Sequence, residues 1–506
     1  MKGRTELFLH NSTAMALQQV IAMITALIIP RILLLAYGSE INGFIVSITQ
    51  FISYFMLVEA GLSGASVYAL YKPLANEDVP AITGILSAAR KFYQTSGYVF
   101  LGLILLLAIL YPVFASSLQL SACQVAIVVF SLSVPGILDF FILSKYQVLL
   151  VASQRSYVLA FAQMVYLLLN LGIIWVLVTT GFSIVTVQVA VVFAVFVRAW
   201  MLCYYTRKHF PYVNYTAEPE KNAIKDRWNV LYLQILNSVQ NALPIILATL
   251  FTSLKEVSVY SVYNSVLNGI AGILGIFISG LAASFGDIIA RKQRKILKEA
   301  TQQFEQAYYM LITVVYGVAL LLILPFVKLY TIHITDAEYI LPWFGFICIL
   351  NGLLYHLKTP QGMLVISAGM YRQTRWQSTT QALIAAIGGL AGAVFWGLYG
   401  IVGGLILSNI YRDIDLLFFI PKHLTKLSYK RSLRHILLVL FTFGIVSVFW
   451  FFYSPQILTI AQWLVYAVCV SCILIIWTVA TNYFIDPLNM KKIYKSVQRV
   501  VSRRIE

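Results

Sequence analysis

The chain has 506 residues, of which 60% are hydrophobic and only 11% are charged. Its mean hydropathy of +0.83 lies far above the range of soluble proteins, which excludes an ordinary soluble domain. The formal net charge of +17 would suit a nucleic-acid-binding protein. However, the positions of the basic residues account for this charge without a nucleic-acid partner.

Apolar segments of membrane-spanning length follow one another along almost the whole chain. A membrane-spanning helix needs about 20 apolar residues. We predict fourteen spans, numbered in chain order, over residues 9–37, 41–71, 91–114, 121–151, 156–179, 182–206, 229–253, 257–285, 304–328, 338–369, 376–396, 399–420, 433–453 and 458–484. The connections are short, which leaves no room for a soluble or nucleotide-binding domain.

The basic residues occupy every second connection. Of the 36 lysines and arginines, 29 lie in one alternate set of connections and at the two termini, whereas two (Lys255 and Lys328) lie in the other set and five lie within spans. Such an asymmetry is typical of the positive-inside rule. It predicts a multi-pass protein with both termini in the cytoplasm.

The sequence repeats itself at an offset of 214 residues. The matched positions are Pro30 with Pro244, Gln147 with Gln361, Arg198 with Arg412, and Lys208-His209 with Lys422-His423. Corresponding spans are six apart, so both halves should insert in the same orientation, related by a pseudo-two-fold axis along the membrane normal. We predict an all-α polytopic fold with an N-terminal lobe (1–210, spans 1–6), a C-terminal lobe (211–424, spans 7–12) and a segment with spans 13 and 14 and a basic cytoplasmic tail (425–506).

Charged side chains within spans are the candidate functional residues. An ionisable group in a span costs about 2.5–3.5 kcal/mol on insertion scales and generally faces a cavity or a partner. The cations are Arg31, Lys145, Arg198, Lys358 and Arg412, and the acids are Glu59, Asp139, Asp413 and Asp415. The repeat places Arg198 at the position of Arg412 and Lys145 near that of Lys358. We predict that the cations bind substrate in a cavity between the lobes, with Glu59, Asp139 and Asp413 as coupling or charge-balancing groups.

Simpler interpretations stay open for individual residues. Arg198 lies about 15 Å before its helix end, which is long for snorkelling. Arg412 is also consistent with a structural ion pair to Asp415, and Arg31 with a side chain that reaches the outer interface. Glu59 is predicted in the middle of its span, where it has no such escape.

Nothing in the sequence predicts a metal site, a cofactor or an enzyme. The six histidines and five cysteines are scattered, with no metal-ligand spacing and no nucleophile–base pattern.

Three stretches carry a resemblance to bacterial polysaccharide flippases: residues 30–43 (PRILLLAYGSEING), 59–65 (EAGLSGA) and 71–75 (YKPLA). The chain resembles the O-antigen and capsule repeat-unit (Wzx-like) branch of the multidrug/oligosaccharidyl-lipid/polysaccharide exporter (MOP) superfamily. The motifs are moderately specific, and the similarity in architecture covers the whole chain.

The resemblance implies a flippase in the bacterial cytoplasmic (inner) membrane that works by alternating access of the two lobes. Its substrate would be an undecaprenyl-diphosphate-linked oligosaccharide, moved from the inner to the outer leaflet for the assembly of O-antigen, capsule or exopolysaccharide. The implied partners are this lipid-linked oligosaccharide, membrane lipids and a polysaccharide polymerase. Coupling to H⁺ or Na⁺ and drive by the membrane potential both stay open.

Three alternatives are weighed against this hypothesis. Multidrug exporters of the same superfamily typically have twelve helices and an acid on the first, whereas the first span here carries Arg31. Lipid II flippases carry arginine on helix 8, whereas span 8 has no basic residue before Arg291. A polysaccharide polymerase or ligase usually has a large external loop, whereas the connections predicted to be external are short.

Overall fold

The computed structural model describes residues 4–59, 62–114, 118, 120–215, 236, 242–370, 372–452, 457 and 459–502, and their regular structure is entirely helical. The helices are α1 (Arg4–Phe55), α2 (Leu62–Ala75), α3 (Val79–Phe114), α4 (Ala122–Leu138), α5 (Ser144–Ala152), α6 (Ser156–Thr179), α7 (Ile184–His209), α8 (Ala242–Phe251), α9 (Leu254–Ala290), α10 (Arg294–Tyr330), α11 (Pro342–Leu357), α12 (Thr359–Ser367), α13 (Arg375–Ile420), α14 (Tyr429–Phe452), α15 (Ile460–Ile485) and α16 (Pro487–Ser502).

The described helices other than α16 overlap the apolar segments predicted as spans. Among the described residues, ten helical stretches are long and apolar enough to cross a membrane. Two of these, α1 and α13, bend at a glycine. α13 contains spans 11 and 12, whereas α1 contains span 1 and the first part of span 2, and the rest of span 2 includes a 3₁₀ turn (Met56–Glu59) and most of α2. Span 10 is divided between α11 and α12, and span 7 is described only over α8. The prediction of an all-α, multi-pass membrane protein is confirmed.

The bend of α1 lies at Gly38. A straight helix of 52 residues would be about 78 Å long, more than twice the thickness of a bilayer core. Gly38 has φ +82°, a backbone conformation that favours glycine, and it separates span 1 from span 2.

The two halves of α13 form a hairpin whose backbones touch. Gly397, with φ +55°, makes the bend. A Cβ atom added to Gly404 would lie 2.2 Å from the nitrogen of Gly389, and one added to Gly392 would lie 2.2 Å from the carbonyl oxygen of Gly400. Small residues at a helix interface allow such close approach, which favours packing within a membrane.

The chain folds into two compact units. Unit 1 comprises Met1–Ser261 with Ile334–Ala337, and unit 2 comprises Val262–His333 with Glu338–Glu506. In unit 2 the helices α14, α15 and α16 pack against α10, and the Asn489 amide donates to Gln306 Oε1 at 2.6 Å. The lobe boundaries inferred from the sequence repeat stay a prediction.

Within unit 1, the second half of α1 packs against the start of α9. Asn42 Nδ2 donates to Ser258 Oγ at 2.7 Å, and a Cβ atom added to Gly43 would lie 1.8 Å from the carbonyl oxygen of Leu254. Further hydrogen bonds, each 2.7 Å long, join Thr249 to Ser47 and join the amide and hydroxyl of Ser39 to the Asp336 carboxylate. We call these contacts, which α1 makes with α8, α9 and Asp336, the α1 seam.

The sequence repeat has local counterparts in the structure. The His209 ring stacks on Tyr205 with its centroid 4.0 Å away, and the His423 ring stacks on Phe419 at 4.4 Å. Each histidine Nδ1 lies 3.0 Å from the carbonyl oxygen of its aromatic partner. Both pairs are related by the offset of 214 residues, as a duplicated helix end would be.

Candidate substrate-binding site

The fourth span is broken where its acid lies. α4 ends at Leu138, and a π-helical turn, Asp139–Leu143, leads into α5. Pro135 lies one turn earlier, where its ring removes a backbone donor from the helix. Such π turns are frequent at functional sites. The break places Asp139 inside an otherwise apolar span.

Asp139 connects this break to α7. Its Oδ1 accepts a hydrogen bond from Gln147 Nε2 at 3.0 Å and lies 3.4 Å from Arg198 Nη2. The side chains of Arg198 and Asp139 are only 16% and 17% exposed, so the pair balances two charges that are costly within a membrane. A guanidinium has five N–H donors, and Asp139 engages one nitrogen. Arg198 can therefore be held by Asp139 and still donate to a ligand.

The sequence predicts Glu59 in the middle of a continuous helix, and this prediction is wrong because Glu59 lies at a helix break. A short 3₁₀ turn, Met56–Glu59, follows α1, and the next described residue is Leu62 at the start of α2. Gly61 and Gly64 follow the acid closely, and glycine weakens a continuous helix. The Glu59 carboxylate lies close to the Ser144 hydroxyl and interacts electrostatically with Asp139.

The other two predicted cations of unit 1 are partly buried. Arg31 follows Pro30 within α1. Lys145 lies near the start of α5, with its Nζ 5.0 Å from the ring centroid of Tyr146 and 5.1 Å from that of Tyr215. Lys145 is therefore separate from the Asp139–Arg198 pair and belongs to an aromatic environment.

In unit 2, Lys358 lies at the junction of α11 and α12. Its Nζ donates to Asn409 Oδ1 on α13 and lies 4.6 Å from the ring centroid of Tyr355. Asn409 in turn donates to Asn351 Oδ1 at 2.9 Å. Span 10 is thus broken at its cation, as span 4 is broken at its acid.

Arg412 forms the structural ion pair that the sequence left open. Its Nη1 lies 2.7 Å from Asp415 Oδ2, one turn further along α13, and the residue is 7% exposed. Asp413 lies between them and interacts electrostatically with Lys358. Both Asp413 carboxylate oxygens are buried without a hydrogen-bond partner among the described residues. An unpartnered carboxylate of this kind suits a proton or a bound cation.

The structure adds a buried acid that the sequence analysis did not select. Glu305 on α10 is 5% exposed, and its two oxygens accept hydrogen bonds from Gln361 Nε2 at 3.0 Å and Ser432 Oγ at 2.9 Å. Gln361 matches Gln147 in the repeat, and each of the two glutamines donates to an intramembrane carboxylate. The repeat could have identified Glu305, because Gln147 and Gln361 occupy matched positions and an amide within a span needs a polar partner.

Among the described residues, no three histidine, cysteine, aspartate or glutamate side chains are grouped so that they could hold a metal ion.

Solved transporters share this fold. A multidrug-resistance MATE family transporter of the MOP superfamily, in an inward-facing conformation, superimposes with a TM-score of 0.65 at 13% identity, covering 86% of this chain and 98% of the transporter. Lipid II flippase MurJ, in an inward closed conformation, gives a TM-score of 0.65 at 11% identity, covering 94% and 98%. An outward-facing MATE transporter of the same superfamily gives 0.57 at 14% identity, covering 86% and 96%.

No family model and no curated protein sequence matches the chain. At these identities the structural likeness defines the fold alone. The chain has the fold seen in transporters of the MOP superfamily.

Proposed function

We propose that this protein is a flippase that moves undecaprenyl-diphosphate-linked oligosaccharides from the inner to the outer leaflet of a bacterial cytoplasmic membrane. The observation that carries the proposal is an arginine at the same repeat position in each unit. Arg198 and Arg412 both lie within spans, and each is held by a carboxylate. Cations are costly inside a membrane and are typical of the pathway of an anionic substrate.

The chemistry of the substrate matches these cations. A diphosphate with its sugar chain cannot cross hydrocarbon without a polar path, and arginine binds phosphate oxygens with a planar set of donors. The polyprenyl tail can stay in lipid throughout. A membrane potential that is negative inside would favour outward movement of the headgroup by about 2.3 kcal/mol per charge per 100 mV.

The alternatives fit less well. Multidrug exporters of this superfamily typically carry an acid on the first helix, whereas the first span here carries Arg31 and no acid. A lipid II flippase stays the nearer alternative because its substrate also carries a diphosphate. The helices α14 and α15, which pack on α10, are two spans beyond the twelve that we assign to the paired lobes.

The orientation in the membrane is part of the proposal. We infer from the basic connections that both termini face the cytoplasm. In a variant without native cysteines, single cysteines at Glu256 and Thr335 should react with an impermeant reagent from outside, and one at Lys295 should react only after permeabilisation. All three positions are exposed. Labelling of the Lys295 site in intact cells would contradict the orientation.

Reconstitution tests the function. We expect proteoliposomes to expose a fluorescent undecaprenyl-diphosphate oligosaccharide to an impermeant quencher, and to give no extrusion of ethidium. Empty liposomes and liposomes with Arg198→Gln protein are the controls. Extrusion of ethidium without lipid movement would support the multidrug exporter, and movement of lipid II alone would support the other alternative.

Glu59 has two proposed roles that a single variant separates. The carboxylate lies in the field of Asp139 at a helix break, where a proton could bind and leave during transport. If it carries a coupling proton, Glu59→Gln should lose the response of the flipping rate to a pH gradient while keeping the rate without a gradient. Unchanged rates under both conditions would leave Glu59 with a charge-balancing role.

A further inference from the structure

A pair of tyrosines holds a lysine at one end of unit 1. The rings of Tyr146 and Tyr215 meet edge to face with centroids 5.4 Å apart, and Lys145 Nζ lies about 5 Å from each. Tyr215 belongs to the segment after α7, which folds back so that Tyr215 packs against the core of unit 1. The cation therefore sits between two aromatic faces, an arrangement that holds it in place.

Two arginines join this lysine. Arg90 Nη1, from α3, donates to the Tyr215 carbonyl oxygen at 3.1 Å. Arg207, in the last turn of α7, lies within reach of the Tyr146 hydroxyl, and both arginines interact electrostatically with Lys145. Three different helices thus bring three positive charges together.

None of the three cations takes part in an ion pair with an acid among the described residues. Arg90 and Lys145 are partly buried, and Arg207 is exposed. In addition, Arg90 Nε and Tyr215 Oη are buried without a hydrogen-bond partner among described residues. Like charges at close quarters repel, and buried donors without partners are costly, so an anion with several acceptor oxygens would stabilise the arrangement.

We infer that Arg90, Lys145 and Arg207 form a binding site for phosphate oxygens, supplied by a diphosphate or by an anionic lipid headgroup. We call it the Lys145 site. It lies at the end of the spans that the charge pattern assigns to the cytoplasm. Arg198 lies nine residues before Arg207 on α7, about 14 Å deeper along the helix. The Lys145 site would therefore meet a cytoplasmic diphosphate before the intramembrane arginines do.

The inference rests on the proposed function only for the lipid-linked diphosphate as a source, because the anion site itself can be measured with inorganic pyrophosphate. Calorimetric titration of the purified full-length protein should give a binding signal that Arg90→Gln and Arg207→Gln each weaken roughly tenfold or more, since each removes charged hydrogen bonds. Arg90→Lys, which keeps the charge, should retain part of the affinity and shows that loss is not a folding defect.

The chain offers matched controls beside two of the cations. Lys91 is the exposed neighbour of Arg90. Lys208 follows Arg207 but lies over the ring of Tyr204, with its Nζ 5.8 Å from the centroid. Lys91→Gln and Lys208→Gln make the same change in net charge and should alter pyrophosphate affinity less than twofold. If the control variants weaken pyrophosphate binding as much as the site variants do, the effect comes from general surface charge and the inference is overturned.

Two further comparisons define the occupant. If a lipid headgroup uses the site, protein in phosphatidylglycerol nanodiscs should bind pyrophosphate more weakly than protein in phosphatidylcholine nanodiscs. Equal pyrophosphate affinity in the two kinds of nanodisc would favour the diphosphate as the occupant. Either result supports the site. Glu218 and Glu220, which lie outside the described residues, are the competing occupants. If only Glu218→Gln/Glu220→Gln protein binds pyrophosphate, the chain's own carboxylates fill the site and the inference fails. Failure of lipid flipping with pyrophosphate binding intact would count against the proposed function alone.

Discussion

Replacing Arg198 by glutamine should abolish lipid flipping in proteoliposomes while leaving membrane insertion intact. Removing one of a few cations from a site of low dielectric should cost on the order of 2–4 kcal/mol of phosphate binding, which is a factor of about 30 to 1,000. Arg198→Lys should keep part of the activity, because lysine retains the charge but presents fewer donors. Flipping rates at matched protein content measure both variants.

The ion pair with Asp139 makes a decisive control possible. Arg198→Gln alone leaves the buried Asp139 carboxylate without its cation, which by itself can impair the protein. Asp139→Asn combined with Arg198→Gln removes both charges and relieves that defect. If Arg198 binds the diphosphate, the double variant stays inactive although its thermal stability recovers. Recovered flipping in the double variant would assign Arg198 to charge balance and remove the central support of the proposed mechanism.

A single methyl group in the α13 hairpin should have the largest effect on stability. The added Cβ of Gly404→Ala would meet the backbone nitrogen of Gly389 at 2.2 Å, and backbone atoms cannot rotate away as a side chain can. We expect a loss of about 1–3 kcal/mol from overpacking, or more if the halves of α13 separate. The apparent melting temperature in detergent should fall by several degrees.

The neighbouring residue provides the control for this experiment. Gly403 precedes Gly404 on the same helix, but a Cβ atom added there would have no atom within 4 Å. Gly403→Ala should therefore leave the melting temperature unchanged or raise it slightly, because alanine favours a helix over glycine by roughly 0.5–1 kcal/mol. Equal destabilisation by both substitutions would show that the hairpin does not depend on the close backbone contact.

The fold was largely predictable because a bilayer imposes a simple rule on length and polarity. The fourteen predicted spans follow from apolar runs, and ten helical stretches among the described residues are long and apolar enough to cross a membrane. The breaks within spans were harder to predict. The π turn at Asp139 and the division at Lys358 depend on packing and polar partners from other helices, which hydropathy does not record.

The sequence predicted which charged residues belong to the candidate site, but not which of them contact each other. Intramembrane charge alone selected Arg198, Asp139 and Arg412, because such residues are costly in hydrocarbon. Local spacing also suggested Arg412 with Asp415, since three residues apart on a helix are neighbours. By contrast, the contact of Arg198 with Asp139 joins residues 59 positions apart. Glu305 lies at the very start of span 9, where the sequence does not distinguish a buried acid from one at the membrane interface, and its partner Ser432 comes from the distant helix α14.

The α1 seam fixes the free-energy difference between the closed and the separated state in any transport cycle in which α1 moves away from these contacts. It consists of short neutral side-chain bonds such as Asn42–Ser258, two bonds to the Asp336 carboxylate and glycine contacts, with no ion pair between lysine or arginine and an acid among its described members. Neutral bonds contribute about 1 kcal/mol each and bonds to a charged group about 1.5–3 kcal/mol, so the seam is worth several kcal/mol in all. The separated state would then be a minor species, and a substrate could make it dominant only by binding it more tightly by that same free energy.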